Sequence, residues 1–347
     1  MKQQRNASGR SGPNIVAIGG GTGLSTLLRG LKDCTDHLTA IVTMADDGGG
    51  SGQLRVDLGM PPPGDVRHCL QALANVEPLM EELINYRFPE GTLKGQSFGN
   101  LFLAALMGVT GSFDDAVSSM SKVLAITGRV LPVTCDDIHL VAKFENGTQV
   151  MGESKISAFK KAQDCRISHV RLEPKNPTVN KDAVEAIRAA DLILLGPGSL
   201  YTSVIPNLLV DGIVDAIADA HALRVYVCNV MTQDGETEDY TVSDHLKALM
   251  SHSGGRNLVD YCLVNSDPVP SYLLPIYSLQ NAAPIRLDRE AVEALGVEVV
   301  EQPMVDPNHT CLARHDPERL AKAIMKLMED HSVRVVEQGT ARYLRER

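Results

Sequence analysis

The chain has 347 residues, of which 44% are hydrophobic, 22% are charged and 4% are aromatic. This composition is typical of a globular protein and excludes a disordered, collagen-like or disulfide-stapled chain. The net charge of −10 repels phosphate backbones, so we expect no nucleic-acid partner, and any phosphate site must be built locally. The seven cysteines lack metal-binding spacing, and the sequence predicts no membrane insertion. We therefore expect a cytoplasmic protein.

The N-terminal part of the sequence predicts one strand–helix–strand unit. Residues 1–13 are polar and predict a disordered leader. A buried strand at 14–18 precedes a run of glycines, a helix follows at 24–31, and the next strand covers 39–44. This order predicts a βαβ unit with a right-handed crossover.

After this unit, the sequence predicts a glycine-rich loop and an antiparallel hairpin. Glycine makes up four of the seven residues at 46–52, and this content predicts an irregular loop. Asn146-Gly147 joins two alternating runs, so we expect an antiparallel hairpin extension over about 130–172. The expected strands of this extension are 130–134, 138–145 and 148–153. Before it we expect three helices, 65–87 (broken near Pro78), 100–109 and 112–128. The second of these is almost wholly apolar, so we expect it to be buried.

Strand–helix alternation resumes after Asn180. The fold class predicted from this alternation is α/β, with a Rossmann-like, doubly wound, mostly parallel sheet and the small hairpin extension. Residues 14–330 are expected to form a single domain, and 331–347 a C-terminal tail. The expected elements are helices 181–190 and 243–251, strands 191–195, 224–229 and 261–265, and a last helix that Asp316 caps and that runs to about Glu329.

A glycine-rich turn, Gly19-Gly20-Gly21-Thr22-Gly23, joins the first strand to the first helix. Glycine lets the backbone approach a ligand, and a helix start offers free N–H groups at the positive end of its dipole. The spacing matches neither the dinucleotide fingerprint nor the P-loop. We predict that Gly20, Gly21, Thr22 and Gly23 hold a phosphate; the alternative is a tight turn without a ligand.

Asp46 and Asp47 follow the second strand, 23 residues or more beyond Gly23. An acid at this place holds ribose hydroxyls in dinucleotide-binding units. Two carboxylates beside a phosphate also suit Mg²⁺. The sequence leaves both roles open, together with that of a solvated loop. Asp46 and Asp47 are therefore candidate ligand-binding residues and candidate metal ligands.

Two further turns precede helices. The stiff turn Pro61–Pro63 would place Gly64, Asp65 and Arg67 against a substrate, or it would serve only to cap the helix through Asp65. Asn100 either caps the apolar helix or binds a polar group of the ligand, and its place before that helix favours the cap.

A second strand-to-helix junction, 196–203, carries glycines and four hydroxyl side chains. Two such junctions suit a ligand with two phosphates. We select Gly198, Ser199 and Tyr201 as ligand contacts.

Three isolated residues complete the candidate ligand-binding set. Asn229 opens the loop 229–236, which follows a strand end and would close the cleft. Tyr277 would stack on a base, although its place also suits core packing. Arg314 lies just before the last helix, where a bound anion is favoured.

Five of these segments resemble the CofD-like superfamily. Their residues are most similar to those of its YvcK-type branch, whose members are called gluconeogenesis factors. The resemblance covers roughly residues 14–330. Gly50 stands where the family usually carries Ser, and His68 where it carries Asn. The segments are IGGGTGLSTLLRGLK (18–32), ADDGGGSGQLR (45–55), PPGDVR (62–67), SFGNLFLAAL (97–106) and GPGSLYTSVIPNL (196–208).

The resemblance implies a nucleotide-sugar ligand of the UDP-N-acetylglucosamine kind and a regulatory role in carbon metabolism and cell-wall or cell-shape control. CofD itself is a transferase that moves a phospholactyl group from a nucleoside diphosphate donor, with Mg²⁺ held at the position of Asp46 and Asp47. We expect binding without an assigned catalytic residue; the alternative is such a Mg²⁺-dependent transferase. We also expect a homo-oligomer, in its simplest form a dimer.

Overall fold

The chain, in a computed structural model, is described over residues 12–306 and 312–345. The strands are β1 (Ile15–Gly19), β2 (Leu38–Val42), β3 (Arg129–Pro132), β4 (His139–Phe144), β5 (Gln149–Met151), β6 (Ile167–Glu173), β7 (Leu192–Leu195), β8 (Leu223–Val227), β9 (Tyr261–Asn265) and β10 (Glu298–Gln302). The helices are α1 (Gly21–Leu31), α2 (Gly49–Leu58), α3 (Gly64–Leu73), α4 (Pro78–Asn85), α5 (Phe98–Thr110), α6 (Phe113–Val123), α7 (Glu153–Gln163), α8 (Lys181–Arg188), α9 (Ile205–Leu208), α10 (Ile213–Asp219), α11 (Val242–His252), α12 (Leu274–Ser278), α13 (Arg289–Ala294) and α14 (Pro317–Arg345). A π-helical turn, Leu200–Val204, precedes α9.

Seven strands form a parallel sheet in the order β10-β9-β8-β7-β1-β2-β3. The five residues of β1 are all buried, as expected for a central strand covered on both faces. The strand order changes direction between β1 and β7, and ligands of such sheets bind at the carboxyl ends of the strands at this point. Both glycine-rich turns follow these two strands, so the predicted α/β fold is confirmed and brings the two turns together.

A three-stranded antiparallel sheet, in the order β5-β4-β6, confirms the predicted hairpin extension. The prediction was wrong for β3, which pairs in parallel with β2 at the edge of the main sheet. Its exposed and buried residues alternate in part, because an edge strand is half covered, and this pattern resembles that of an antiparallel strand. Helix α7 and strand β6, which complete the extension, had no clear signal in the sequence.

The loop predicted at 46–52 is shorter than expected, because α2 begins at Gly49. Two positions in this segment require glycine, because a side chain would collide with a neighbouring part of the chain. A Cβ at Gly50 would lie 2.7 Å from Oε1 of Gln96, and one at Gly52 would lie 2.1 Å from the carbonyl oxygen of Asp47. The glycine content therefore reflects packing within the first turn of a helix, where it does not prevent helix formation.

Helix α5 also differs from the prediction of full burial. It buries only Gly99, Asn100 and Leu103, and the side chain of Val109 is 84% exposed. Its cap is Ser97, whose Oγ accepts a hydrogen bond from the backbone N–H of Asn100 at 3.2 Å. The predicted cap at Asn100 was therefore wrong, since Ser97 already occupies that position.

The ends of two further helices differ from their predictions. Helix α3 begins at Gly64 after Pro63, and no side chain caps it, so Asp65 lies within the first turn instead of at the cap. Helix α14 continues to Arg345, well past the expected end near Glu329. Its predicted start is confirmed, since Oδ1 of Asp316 accepts a hydrogen bond from the N–H of Arg319 at 2.8 Å.

No helix among residues 12–306 and 312–345 could cross a membrane by itself, given its length and composition. Two bent pairs, α5 with α6 and the segment 200–208 with α10, reach the required length and apolar content only together.

Candidate functional site

A cleft of about 680 Å³ opens where β1 and β7 end. This volume is typical of sites for small molecules and cofactors. The cleft brings together segments from both halves of the sheet and from α7. Its lining residues are Gly20, Gly21, Thr22, Gly23, Thr26, Lys161, Pro197, Gly198, Ser199, Ser203, Asn229, Val230, Met231, Thr232, Gln233, Asp234, Tyr277, Gln280, Ala282, Leu312, Ala313, Arg314 and His315.

The first glycine-rich turn lies at the start of α1, whose first residues receive no hydrogen bond from a side-chain cap. Gly21 adopts φ +62°, a left-handed conformation that favours glycine. A Cβ at Gly23 would lie 2.5 Å from the carbonyl oxygen of Pro197, so glycine here lets the two turns touch. The residues of this helix start line the cleft and have no side-chain cap, so their N–H groups are available to an anion.

The second turn is held by Asn229. Its Oδ1 accepts a hydrogen bond from the N–H of Gly198 at 3.1 Å, and its Nδ2 donates to the carbonyl oxygen of Gly198 at 2.8 Å. Ser199 donates from Oγ to Oε1 of Gln233 at 2.6 Å. The loop that begins at Asn229 therefore forms one wall of the cleft and fixes the backbone of the second turn.

An apolar wall, which shares Met231 with this loop, also lines the cleft. Tyr277 lies in a small buried cluster with Met231, Ala282 and Ala313, and its hydroxyl accepts a hydrogen bond from the N–H of Ala313 at 2.8 Å. Tyr277 both packs in this cluster and lines the cleft. An aromatic ring on an apolar wall offers the surface on which a nucleobase stacks.

Two cationic side chains line the cleft, from different parts of the fold. Arg314 precedes α14, which packs against α1 so closely that a Cβ at Gly30 would lie 2.0 Å from the carbonyl oxygen of Pro317. Lys161 comes from α7, and its Nζ lies 2.9 Å from Oδ2 of Asp234. Arg314 was predicted; Lys161 was missed, because nothing in the sequence of the hairpin extension indicates that α7 reaches the cleft.

Carboxylates crowd behind the first glycine turn. A Cβ at Gly20 would lie 2.4 Å from Oδ2 of Asp65, so this carboxylate touches the turn. Oδ1 of Asp46 accepts a hydrogen bond from the N–H of Gly48 at 2.8 Å. Burial and the neighbouring charge of Asp65 raise the pKa of Asp46. Burial, followed by the charge of Asp46, raises the pKa of Glu153 to about 9.

Asp47 has a structural partner. Its Oδ1 accepts a hydrogen bond from the N–H of Ser154 at 2.9 Å, in the first turn of α7. An acid in that position stabilises the helix start. Asp47 thus fixes the helix that carries Lys161, and neither Asp46 nor Asp47 is among the residues that line the cleft.

The CofD resemblance implies Mg²⁺ at the position of Asp46 and Asp47, beside the carboxylates of Asp65 and Glu153. Within the described ranges, no three His, Cys, Asp or Glu side chains form a group that could hold a metal ion. Mg²⁺ at a nucleotide often needs only one or two carboxylates together with phosphate oxygens. Asp46 and Asp65, whose negative charges act on each other, fit that smaller role when a ligand supplies the phosphates.

Five other predicted residues lie outside the cleft lining, namely Gly64, Asp65, Arg67, Asn100 and Tyr201. Nε of Arg67 donates to Oδ1 of Asn100 at 3.0 Å, and both side chains are buried. A Cβ at Gly64 would lie 2.4 Å from Oγ of Ser51, so this glycine permits the packing of α2 against α3. The hydroxyl of Tyr201 lies 2.9 Å from that of Tyr240 in the protein interior.

Glu236 was not predicted as a functional residue. It is buried, and its Oε1 accepts a hydrogen bond from the N–H of Tyr201 at 3.1 Å, near the start of the π-helical turn. Burial raises its pKa to about 7. Its loop, 229–236, had been expected to close the cleft, and residues 229–234 do line it.

The sequence profile of the family "2-phospho-L-lactate transferase CofD" matches residues 15–305. The chain belongs to the CofD family. A protein of Thermoanaerobacterium thermosulfurigenes is 50% identical over 325 residues, which cover 94% of this chain and 100% of that protein. The "Gluconeogenesis factor" of Bacillus subtilis is 46% identical, over 92% of this chain and 99% of that protein.

A crystal structure of a protein from Bacillus halodurans has the same fold. The TM-score is 0.87 at 47% sequence identity, and the match covers 91% of this chain and 100% of the other. The predicted resemblance to the YvcK-type gluconeogenesis factors is therefore confirmed at the level of the family.

Proposed function

We propose that this member of the CofD family binds a nucleotide sugar of the UDP-N-acetylglucosamine kind in the cytoplasm, and that it regulates carbon metabolism and cell-wall or cell-shape formation through that ligand. The observation that carries the proposal is one cleft that is lined both by two glycine turns and by an apolar wall with Tyr277. The name gluconeogenesis factor, borne by relatives of nearly the same length, supports the same role.

The proposed ligand has three parts that the cleft can accommodate. The diphosphate would lie on the N–H groups of the two turns, between Lys161 and Arg314. The base would stack on Tyr277. The sugar would then lie towards Asp65, whose carboxylate accepts hydrogen bonds from hydroxyl groups.

A second candidate function is Mg²⁺-dependent transfer of a phospholactyl-type group, as in CofD itself. The crowding of Asp46, Asp65 and Glu153 next to the first glycine turn favours it. A bound Mg²⁺ would neutralise the charge of the departing nucleotide. The residues of the chain would orient the donor, through the two glycine turns, and exclude water with the loop 229–236.

The first prediction concerns the ligand class. UDP-N-acetylglucosamine at about 100 times its Kd should raise the free energy of unfolding by about 2.7 kcal/mol, with weaker effects from NAD and from free phosphate. The measurement is a thermal-unfolding series with and without Mg²⁺, followed by mass spectrometry of the recovered nucleotide. An unaltered ligand supports the binding function. Mg²⁺-dependent turnover supports the transferase instead, and no stabilisation by any nucleotide contradicts both.

The second prediction concerns the two cations of the cleft. Replacing Lys161 or Arg314 by Gln should weaken nucleotide-sugar binding by about tenfold each, because each loses one charge-assisted contact to phosphate. Calorimetry at two salt concentrations measures this effect, and the salt dependence should become weaker as well.

Lys155→Gln provides the matched control, since Lys155 lies on the same helix, is exposed and does not line the cleft. A variant of Lys161 that binds as tightly as the Lys155 variant would show that α7 takes no part in recognition.

A further inference from the structure

The two glycine turns lie against each other where they line the cleft. A Cβ at Gly23 would lie 2.5 Å from the carbonyl oxygen of Pro197, and a Cβ at Gly198 would lie 3.4 Å from the carbonyl oxygen of Gly20. This contact keeps the turns close, but the direction in which each turn presents its N–H groups depends on further bonds. A side chain that binds both turns would fix that direction.

Asn207, on α9, makes such bonds. Its Nδ2 donates to the carbonyl oxygen of Gly19 at 3.1 Å and to that of Ser203 at 2.8 Å. Gly19 is the first residue of the first turn, and Ser203 lies in the π-helical turn that follows the second turn. The carbonyl oxygen of Gly19 also accepts a hydrogen bond from the N–H of Thr43 at 3.0 Å. One amide group therefore joins the two junctions of the sheet across 188 residues of sequence.

The amide of Asn207 is retained at a cost. The residue is 0% exposed. Two carbonyl oxygens can accept hydrogen bonds only from the NH₂ group, which determines the orientation of the amide. Its Oδ1 then has no hydrogen-bond partner among residues 12–306 and 312–345. A buried acceptor without a partner destabilises a fold, and leucine would avoid that cost. The NH₂ donor is thus the part of the side chain that the structure uses.

The π-helical turn is a second, independent indication. Turns of this kind are rare and frequently occur at functional sites. Ser203 lines the cleft, and its Oγ lies 3.9 Å from the position that a Cβ of Gly21 would take. Asn207 therefore holds the π-helical turn at the residue that approaches the first glycine turn.

We propose that Asn207 is a positioning residue, which keeps the two glycine turns in the relative orientation that binds both phosphates of one diphosphate. The inference rests on the proposed function, in which the diphosphate lies on the N–H groups of both turns. Asn207 is not among the residues that line the cleft, so it acts on the ligand only through the turns.

A diphosphate and a monophosphate depend on this orientation to different degrees. One oxygen bridges the two phosphates of a diphosphate, so both turns must lie at matching positions. Once the first phosphate is bound, the second gains a high effective concentration only if the other turn is in place. A single phosphate can bind to one turn alone. Loss of the Asn207 amide should therefore reduce the affinity for a diphosphate selectively, whereas a general loss of structure would reduce both affinities equally.

The test compares UDP with UMP by calorimetry, since the two probes differ by one phosphate. Asn207→Leu keeps the branched shape of the side chain and removes both hydrogen bonds. It should weaken UDP binding about thirtyfold and change UMP binding less than about threefold. Thermal unfolding without ligand checks the fold of the variant.

Asn257→Leu is the matched control. Nδ2 of Asn257 donates to the carbonyl oxygen of Leu295 at 3.4 Å, and its Oδ1 accepts a hydrogen bond from the N–H of Val259 at 2.9 Å. These bonds lie in the segment before β9, away from the cleft lining. The control variant should lose stability and keep its affinity for both probes.

Gly23→Ala disturbs the same contact from the other side. Its Cβ would lie 2.5 Å from the carbonyl oxygen of Pro197, so the two turns must separate. This variant should also lose UDP affinity selectively, and it keeps the proposal testable if Asn207→Leu does not fold.

Equal losses of UDP and UMP affinity in these variants would overturn the inference, as would unchanged affinity for both probes, and either result would leave the proposed function in place. A wild-type chain that binds neither UDP nor UMP would contradict the proposed function itself, and the inference with it.

Discussion

The Glu153→Gln variant should be more stable than the wild-type chain at pH 8, by about 2 kcal/mol. A pKa of about 9 in the folded state means that folding holds a proton on Glu153 that the unfolded chain releases above about pH 4.5. The expected difference is smaller than the whole shift in pKa would give, because the side chain retains partial contact with solvent, which screens its charge. Glutamine is neutral at every pH and avoids the cost.

The pH dependence identifies the cause. Because the folded-state pKa is raised, the contribution of Glu153 is fully present below about pH 4.5 and is lost as the pH rises through about 9. The two proteins should therefore be equally stable near pH 4.5 and diverge towards pH 9, as measured by urea unfolding. Glu185→Gln, at an exposed site on α8, should show no divergence. Equal stability of wild type and Glu153→Gln at pH 8 would contradict the crowding of carboxylates behind the glycine turn.

Asn229→Leu should weaken binding of the nucleotide sugar by about a hundredfold. The substitution leaves the N–H and the carbonyl oxygen of Gly198 without their side-chain partner, and each such loss costs about 1–3 kcal/mol when the group stays away from water. The second glycine turn would then lose the conformation that presents its backbone to the phosphates. Calorimetry measures the affinity, and thermal unfolding in the absence of ligand checks the fold.

Two companion variants make this prediction specific. Asn229→Asp retains the acceptor for Gly198 but places a negative charge next to the phosphates, so it should also bind poorly. Ser199→Ala removes only the hydrogen bond to Gln233 and should cost less than tenfold. Tight binding by Asn229→Leu would mean that the second turn is only a connection between β7 and the segment that follows.

The sequence predicted the local parts of the site and missed its long-range parts. The two glycine turns could be recognised because each combines a buried strand, glycines and a helix start within a few residues. Two predictions were wrong, namely the antiparallel pairing of β3 and the burial of the helix at 100–109. Pairing and burial depend on neighbouring elements, which a local sequence pattern does not contain. Helix α5 buries one side, including Leu103, and leaves Val109 84% exposed, so its apolar sequence predicted more burial than the neighbouring elements provide.

The acidic residues show the same limit. Asp46 and Asp47 are adjacent in sequence and were treated as one pair with its role left open, but they have different partners in the structure. Asp46 accepts a hydrogen bond from the N–H of Gly48 in its own loop, whereas Asp47 accepts one from the N–H of Ser154 at the start of α7. The sequence could not reveal this partner, because Ser154 lies 107 residues further along the chain. Lys161 was missed for the same reason, since it reaches the cleft only through the position of α7.

The hydrogen bond from Ser154 to Asp47 also bears on the order of folding. Closing a contact across 107 residues costs more chain entropy than forming the local β1–α1–β2 unit, so such contacts tend to form late. The apolar wall depends on a still more distant segment, because Ala313 and Arg314 follow nearly all of the sheet in sequence. During synthesis, the first glycine turn can therefore form on the emerging chain well before the cleft exists. A ligand that needs both walls would bind only to a finished molecule.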